Sequence, residues 1–157
     1  MIMPSKMYSQ KTIEDAIGFS LEKIGLSKFK TEQEKALSYF LNKNDVFVSL
    51  PTGFGKSSIY EAVPFCCDFI NTVTDSVVIV ISPLVSLMMN QLQSLQDRGI
   101  PSLYLGEKDD IPAAKAAKII LASPETIMGD KGRKLLLANR TRIAGVFVDE
   151  SHCVAMW

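Results

Sequence analysis

Four continuous apolar runs constrain this chain more than any other feature. They are "VFVSL" (46–50), "VVIVIS" (77–82), "KIILAS" (118–123) and "IAGVFVDE" (143–150). A strand with one wet face alternates apolar and polar residues, whereas unbroken β-branched runs belong to strands covered on both sides, as in parallel sheets. "PSLYL" (101–105) is a weaker strand candidate. Between the runs lie helix candidates at 56–70, 84–97, near 111–117 and 131–139. Pro64 is predicted to kink or end the first of these early. Two further helices come first. "TIEDAIGFSLEKIG" sets Ile13, Ile17, Leu21 and Ile24 at helical spacing, with Thr12 as N-cap. "TEQEKALSYFLN" opens with Thr31 and Glu34 in capping-box spacing, and Asn44-Asp45 makes a turn. Strands alternating with helices predict one α/β domain, a mainly parallel β-sheet with helices on both faces.

Composition narrows the classes. The 157 residues suit one domain, and 17 basic against 17 acidic side chains give zero net charge. That balance argues against a strong non-specific grip on nucleic acid while allowing a local basic patch. The longest apolar region, "SVVIVISPLVSLMM", is broken by Ser82, Pro83 and Ser86. It falls short of the ~20 residues that cross a bilayer, so no membrane partner is expected. The N-terminal stretch lacks the pattern of a secretory signal. Cys66, Cys67 and Cys153 show no C-x-x-C spacing, and nothing resembles a zinc site. An intracellular, reduced protein is expected.

In parallel α/β sheets ligands sit outside the carboxyl ends of the strands. The four strong runs end there in "PTGFGKSS", "SPL", "SPE" and "DESH". In "LPTGFGKSS" (50–58), Gly53 and Gly55 can take positive φ and bring bare backbone to a phosphate. Successive amides and the start of a helix then form an anion nest. Lys56 would reach the terminal phosphates and the Ser57 hydroxyl would ligate Mg²⁺. The bland reading is a strand-to-helix loop with a solvated lysine, and Leu50 stands where the phosphate-loop pattern starts with glycine. Asp149 and Glu150 would supply the acids, the first holding Mg²⁺ and the second activating water as general base. The competing reading is two acids that open a solvated loop. His152 is the only histidine, and stands either as a structural group or as a residue coupling nucleotide state to the rest of the protein.

"PTGFGKS", "SPLVSLMMNQ", "SPE" and "DESHCVAMW", in that order, resemble motifs I, Ia, Ib and II of superfamily 2 helicases. Within that superfamily the chain resembles the RecQ family of 3′ to 5′ DNA helicases. "IGLSKFKTEQ" (24–33) is similar to that family's motif 0. DEAD-box RNA helicases fit less well, since their second motif ends in Ala-Asp. The resemblance implies a RecA-like P-loop NTPase domain over residues 12–157, after a tail of residues 1–11. It implies ATP and Mg²⁺ as cofactors, with Gln33 reading adenine, Lys30 where arginine is usual and Leu26 where an aromatic commonly stacks. Thr52, Gly53, Phe54, Gly55, Lys56, Ser57 and Ser58 match the phosphate loop, with Phe54 where glycine is frequent. Asp149, Glu150 and His152 match the acidic motif, with Ser151 in place of alanine. Ser82, Pro83, Leu84, Ser86 and Gln91, then Ser123, Pro124 and Glu125, match segments that touch DNA. "SPL" has the alternative of capping the helix at 84–97, and Met88 and Met89 read as core filler.

What is expected, then, is the first motor lobe of a DNA helicase, truncated after motif II and acting as a monomer. It would bind ATP and turn it over slowly, because a second RecA-like lobe normally supplies the arginine that speeds hydrolysis. By resemblance it would act in the nucleus if eukaryotic and in the cytoplasm if bacterial. Two other readings stay open, a stand-alone P-loop NTPase and a non-hydrolysing module that binds DNA or protein. The "KGRK" stretch (131–134), the nearest candidate for an acceptor site of such an NTPase, reads better as a solvated helix start.

Overall fold

Ser9, not Thr12, starts the first helix, because its hydroxyl accepts the Thr12 amide and so caps α1 (Gln10–Ile24). A computed structural model of the chain describes residues 8–51, 53–106 and 113–149. The chain divides into two compact units, Met1–Thr74 and Asp75–Trp157.

In the first unit α1 ends at Gly25, whose φ of +76° suits the left-handed cap that glycine provides. The second helix, α2 (Thr31–Leu41), is capped one residue earlier than the Thr31–Glu34 spacing suggested. The Lys30 amide donates to Gln33 Oε1 at 2.8 Å, so glutamine fills the role expected of Glu34. The third helix, α3 (Ser57–Asn71), continues past Pro64, so the proline does not end it. That residue was expected to end or kink it. Val63, Pro64, Phe65 and Cys66 are buried, and their packing favours continuing the helix despite the missing N–H. Ile13, Ala16, Ile17 and Ile24 form the inward face of α1, which packs on α3. Phe19 and Phe69 meet at 5.4 Å between ring centroids across this contact.

The run 46–50, expected as a buried strand, forms no strand. Its exposure alternates, and Phe47 is 82% exposed. A strand exists only where a neighbour accepts and donates its ladder hydrogen bonds, and among the described residues none pairs with this run.

The second unit holds the sheet. Its elements are β1 (Val77–Ile81), α4 (Val85–Asp97), β2 (Ser102–Leu105), a single tight turn of helix (Ala113–Ala116), β3 (Ile119–Ala122), α5 (Pro124–Met128), α6 (Asp130–Asn139) and β4 (Ile143–Val148). The order is β2-β3-β1-β4, and every pairing is parallel. This is the α/β class the sequence predicts, with the weak candidate at 101–105 realised as an edge strand. Val77, Ile79, Ile120 and Ala122 pack on one face with Leu105, Ala114, Ala117, Ile127 and Leu135. The alternate residues Val78, Val80, Ile119 and Leu121 are equally buried, which is why these runs show no polar alternation. Helix α4 packs on β2 and β3. Its Met88 is fully buried, as core filler should be, whereas Met89 is 36% exposed.

Two local devices hold the far side of this unit. The Arg142 guanidinium donates to Asp75 O, Ala114 O, Ala117 O and Asn139 Oδ1. Gly132 lets α6 lie against the end of α5, since a side chain there would strike the Ile127 carbonyl. Among the described residues no helix is long and apolar enough to cross a membrane. Cys66 and Cys67 are free, and burial pushes their thiols up to about 12 and about 11, so both stay protonated near neutrality.

Candidate functional site

The loop at 53–56 has the backbone of an anion cradle. Gly53 and Gly55 take φ of +82° and +86°, a region that side-chain-bearing residues rarely enter. A Cβ at Gly55 would also come within 2.7 Å of Gln33 Nε2, so this glycine is required twice. The loop closes with Phe54 N donating to Pro51 O, then Ser58 N to Gly55 O and Ile59 N to Lys56 O. Those last two bonds begin α3. The amides of Lys56 and Ser57 precede the helical ladder and have no acceptor within it. Here the positive end of the helix dipole coincides with amides that have no intrahelical acceptor, which fits a phosphate. Lys56 and Ser57 are half-buried beside them.

Two motif 0 residues, Gln33 and Lys30, reach this loop. Gln33 is 4% exposed, and its Nε2 donates to Gly55 O at 2.8 Å and Phe54 O at 3.3 Å. Lys30 Nζ donates to Phe54 O at 3.1 Å and lies 4.1 Å from the centroid of the Phe54 ring. Leu26 follows the cap of α1 and is 37% exposed. Thr52 lies outside the described residues.

In the second unit the parallel register lines up three strand ends. Ile81 pairs with Ala122 and with Val148, so Ser82, Ser123 and Asp149 follow at one edge of the sheet. Asp149 N donates to Ile81 O at 2.8 Å, which fixes the acid at the end of β4. Its Oδ2 accepts from Gln91 Nε2 at 3.3 Å. Gln91 was expected on the DNA side, and spacing gave no sign of this partner on another element. Glu150, Ser151, His152, Cys153 and Trp157 lie outside the described residues.

The remaining DNA-side candidates separate by exposure. Ser82 is fully buried and its hydroxyl accepts the Leu84 amide at 3.4 Å in the turn before α4; the N-cap of that helix is Leu84 and no side chain caps it, so Ser82 does not supply the cap that the sequence left open. Ser123 caps α5 by accepting the Thr126 amide, and Pro124 is buried. Leu84, Ser86 and Glu125 are exposed, and Pro83 is half-buried. Oxygen donors such as the Ser57 hydroxyl and the Asp149 carboxylate suit Mg²⁺ rather than a softer ion.

Residues 30–157 match the DEAD/DEAH box helicase family. The chain is 35% identical over 150 residues to the RecQ-like DNA helicase BLM of Xenopus laevis, covering 87% of this chain and 10% of that protein. It is 32% identical over 151 residues to the ATP-dependent helicase wrn-1 of Caenorhabditis elegans (92% of this chain, 14% of that protein). Against the ATP-dependent DNA helicase RecQ of a Synechocystis strain it is 29% identical over 161 residues (96% and 31%). The chain thus spans between a tenth and a third of the length of these curated relatives. With a phosphate-loop backbone, a parallel sheet ending in an acid and a match over most of its length, the chain belongs to the DEAD/DEAH box helicase family, on the RecQ-like side of it.

Proposed function

We propose that this chain is the ATP- and Mg²⁺-binding first lobe of a RecQ-like DNA helicase motor, with residues 12–157 forming that lobe. The observation that carries the reading is the loop Gly53–Ser57. Two glycines at positive φ turn the chain into a helix start whose first amides lack intrahelical acceptors. Polyphosphate binds at these amides and at Lys56, whose charge offsets that of the ligand. Ser57 and Asp149 are the residues that would hold Mg²⁺, which would supply charge neutralisation of the phosphates. Glu150 orients and deprotonates the attacking water, and His152 relays nucleotide state. Exposed Leu84, Ser86 and Glu125 lie where single-stranded DNA runs. A second RecA-like lobe completes the site for fast hydrolysis, so these 157 residues alone bind nucleotide without unwinding duplex. Support comes from the relatives named as ATP-dependent DNA helicases.

The test is thermal unfolding with and without Mg·ATP. Saturation at about a hundred times Kd adds ~2.7 kcal/mol of stability, which is several degrees for a domain of this size. Lys56→Ala keeps the unliganded unfolding temperature and loses the shift. Equal shifts in both proteins would overturn the assignment of the cradle.

A further inference from the structure

The contacts of Lys30 run to the backbone and the aromatic ring of the phosphate loop. Its ammonium lies 4.1 Å from the Phe54 ring centroid and donates to the Phe54 carbonyl. Gln33 holds the same carbonyl and the next one, Gly55 O, with both hydrogens of its Nε2. Its Oε1 is engaged by the Lys30 amide. A trans peptide is planar, so each C=O points opposite to the N–H of the following residue. Holding the carbonyls of Phe54 and Gly55 towards Lys30 and Gln33 therefore aims the amides of Gly55 and Lys56 to the other side of the loop. That is the side on which an anion nest needs its donors. Phe54 matters because glycine at that position would offer Lys30 no ring.

We propose that Lys30 is a positioning residue that aims the phosphate loop through Phe54, and is not a reader of the nucleobase. The inference rests on the nucleotide-binding reading above and sharpens its ligand class: what Lys30 supports at this loop is the grip on the polyphosphate.

The experiment titrates the chain calorimetrically with Mg²⁺ plus inorganic tripolyphosphate, and separately with Mg·ATP and Mg·GTP. Lys30→Met weakens tripolyphosphate and ATP by the same factor, about three- to tenfold for a lost cation–π contact and hydrogen bond. Lys30→Arg, which keeps the stacked cation and a donor, restores most of it. Phe54→Leu weakens both ligands as well, and the losses from Lys30→Met and Phe54→Leu together are less than additive, as expected for two side chains acting as one device. A loss confined to ATP, with tripolyphosphate untouched, makes Lys30 a base reader and overturns the proposal alone. So do strictly additive losses. Failure of the unaltered chain to bind any of the three ligands removes the nucleotide site itself, and the inference with it.

Discussion

Gln91 Nε2 and Asp149 Oδ2 lie 3.3 Å apart, tying the second turn of α4 to the acid at the end of β4. A carboxylate that must face a divalent cation gains from a neutral donor on one oxygen, because the donor fixes its orientation without competing for the metal's charge. Removing that donor has a defined consequence. Gln91→Ala is expected to raise the Mg²⁺ concentration needed for half of the ATP-linked stabilisation by about fivefold, the worth of one modest hydrogen bond. Titrating MgCl₂ at fixed ATP while following the unfolding temperature measures it. An unchanged Mg²⁺ midpoint together with weakened single-strand binding would return Gln91 to the DNA side.

Gly55→Ala is expected to abolish nucleotide-linked stabilisation and to lower the stability of the unliganded chain by roughly 1–3 kcal/mol. The alanine meets φ of +86° and Gln33 Nε2 at 2.7 Å from its Cβ. Urea unfolding of the two proteins, each with and without Mg·ATP, separates the effects. Full retention of the ligand shift would show that the loop re-forms without its carbonyl tethers.

At the far side of the sheet, Arg142→Met is expected to destabilise the chain by roughly 2–3 kcal/mol, since the carbonyls of Asp75, Ala114 and Ala117 and Oδ1 of Asn139 each lose a guanidinium donor, Ala114 O keeping only the Ala117 amide. Lysine does not rescue it, because a single ammonium cannot reproduce the planar fork. Chemical denaturation checks both, and nucleotide affinity per folded molecule stays unchanged.

Gly132→Ala is expected to cost at least about 2 kcal/mol, through the collision of its methyl with the Ile127 carbonyl. On an exposed helix position the same change would stabilise by up to ~1 kcal/mol, so the sign of the measured effect decides whether α5 and α6 are packed this closely.

The buried thiols set an alkaline limit. Their ordinary value of 9.0 is raised to about 12 for Cys66 and about 11 for Cys67 by burial. Between pH 9 and 11 the unfolded chain loses these protons while the folded chain keeps them. The folded state then binds more protons, and stability falls as pH rises through that window. Replacing both cysteines with alanine flattens the slope of stability against pH above 9, while the slope between pH 6 and 8 is unaffected. Equal slopes above pH 9 in the two proteins would mean that the thiols ionise in the folded chain.

Much was legible without coordinates. The unbroken apolar runs at 77–81 and 119–122 fixed two inner strands, because burial on both faces leaves no position for a polar residue. Helical spacing of Ile13, Ile17 and Ile24 fixed the inward face of α1, and the glycines of Gly53-x-Gly55-Lys56 marked a turn at positive φ, because only glycine enters that region without strain. Tertiary structure decided what depends on partners distant in sequence. Residues 46–50 carry the composition of a strand, yet a strand is defined by the neighbour that completes its ladder, and composition does not name that neighbour. Likewise, nothing in the spacing of residues assigned the amide hydrogens of Gln33 to Phe54 and Gly55, or the amide of Gln91 to Asp149. Apolar burial follows a local period that a sequence displays, whereas each polar group takes whichever complementary partner the finished fold brings within hydrogen-bonding reach.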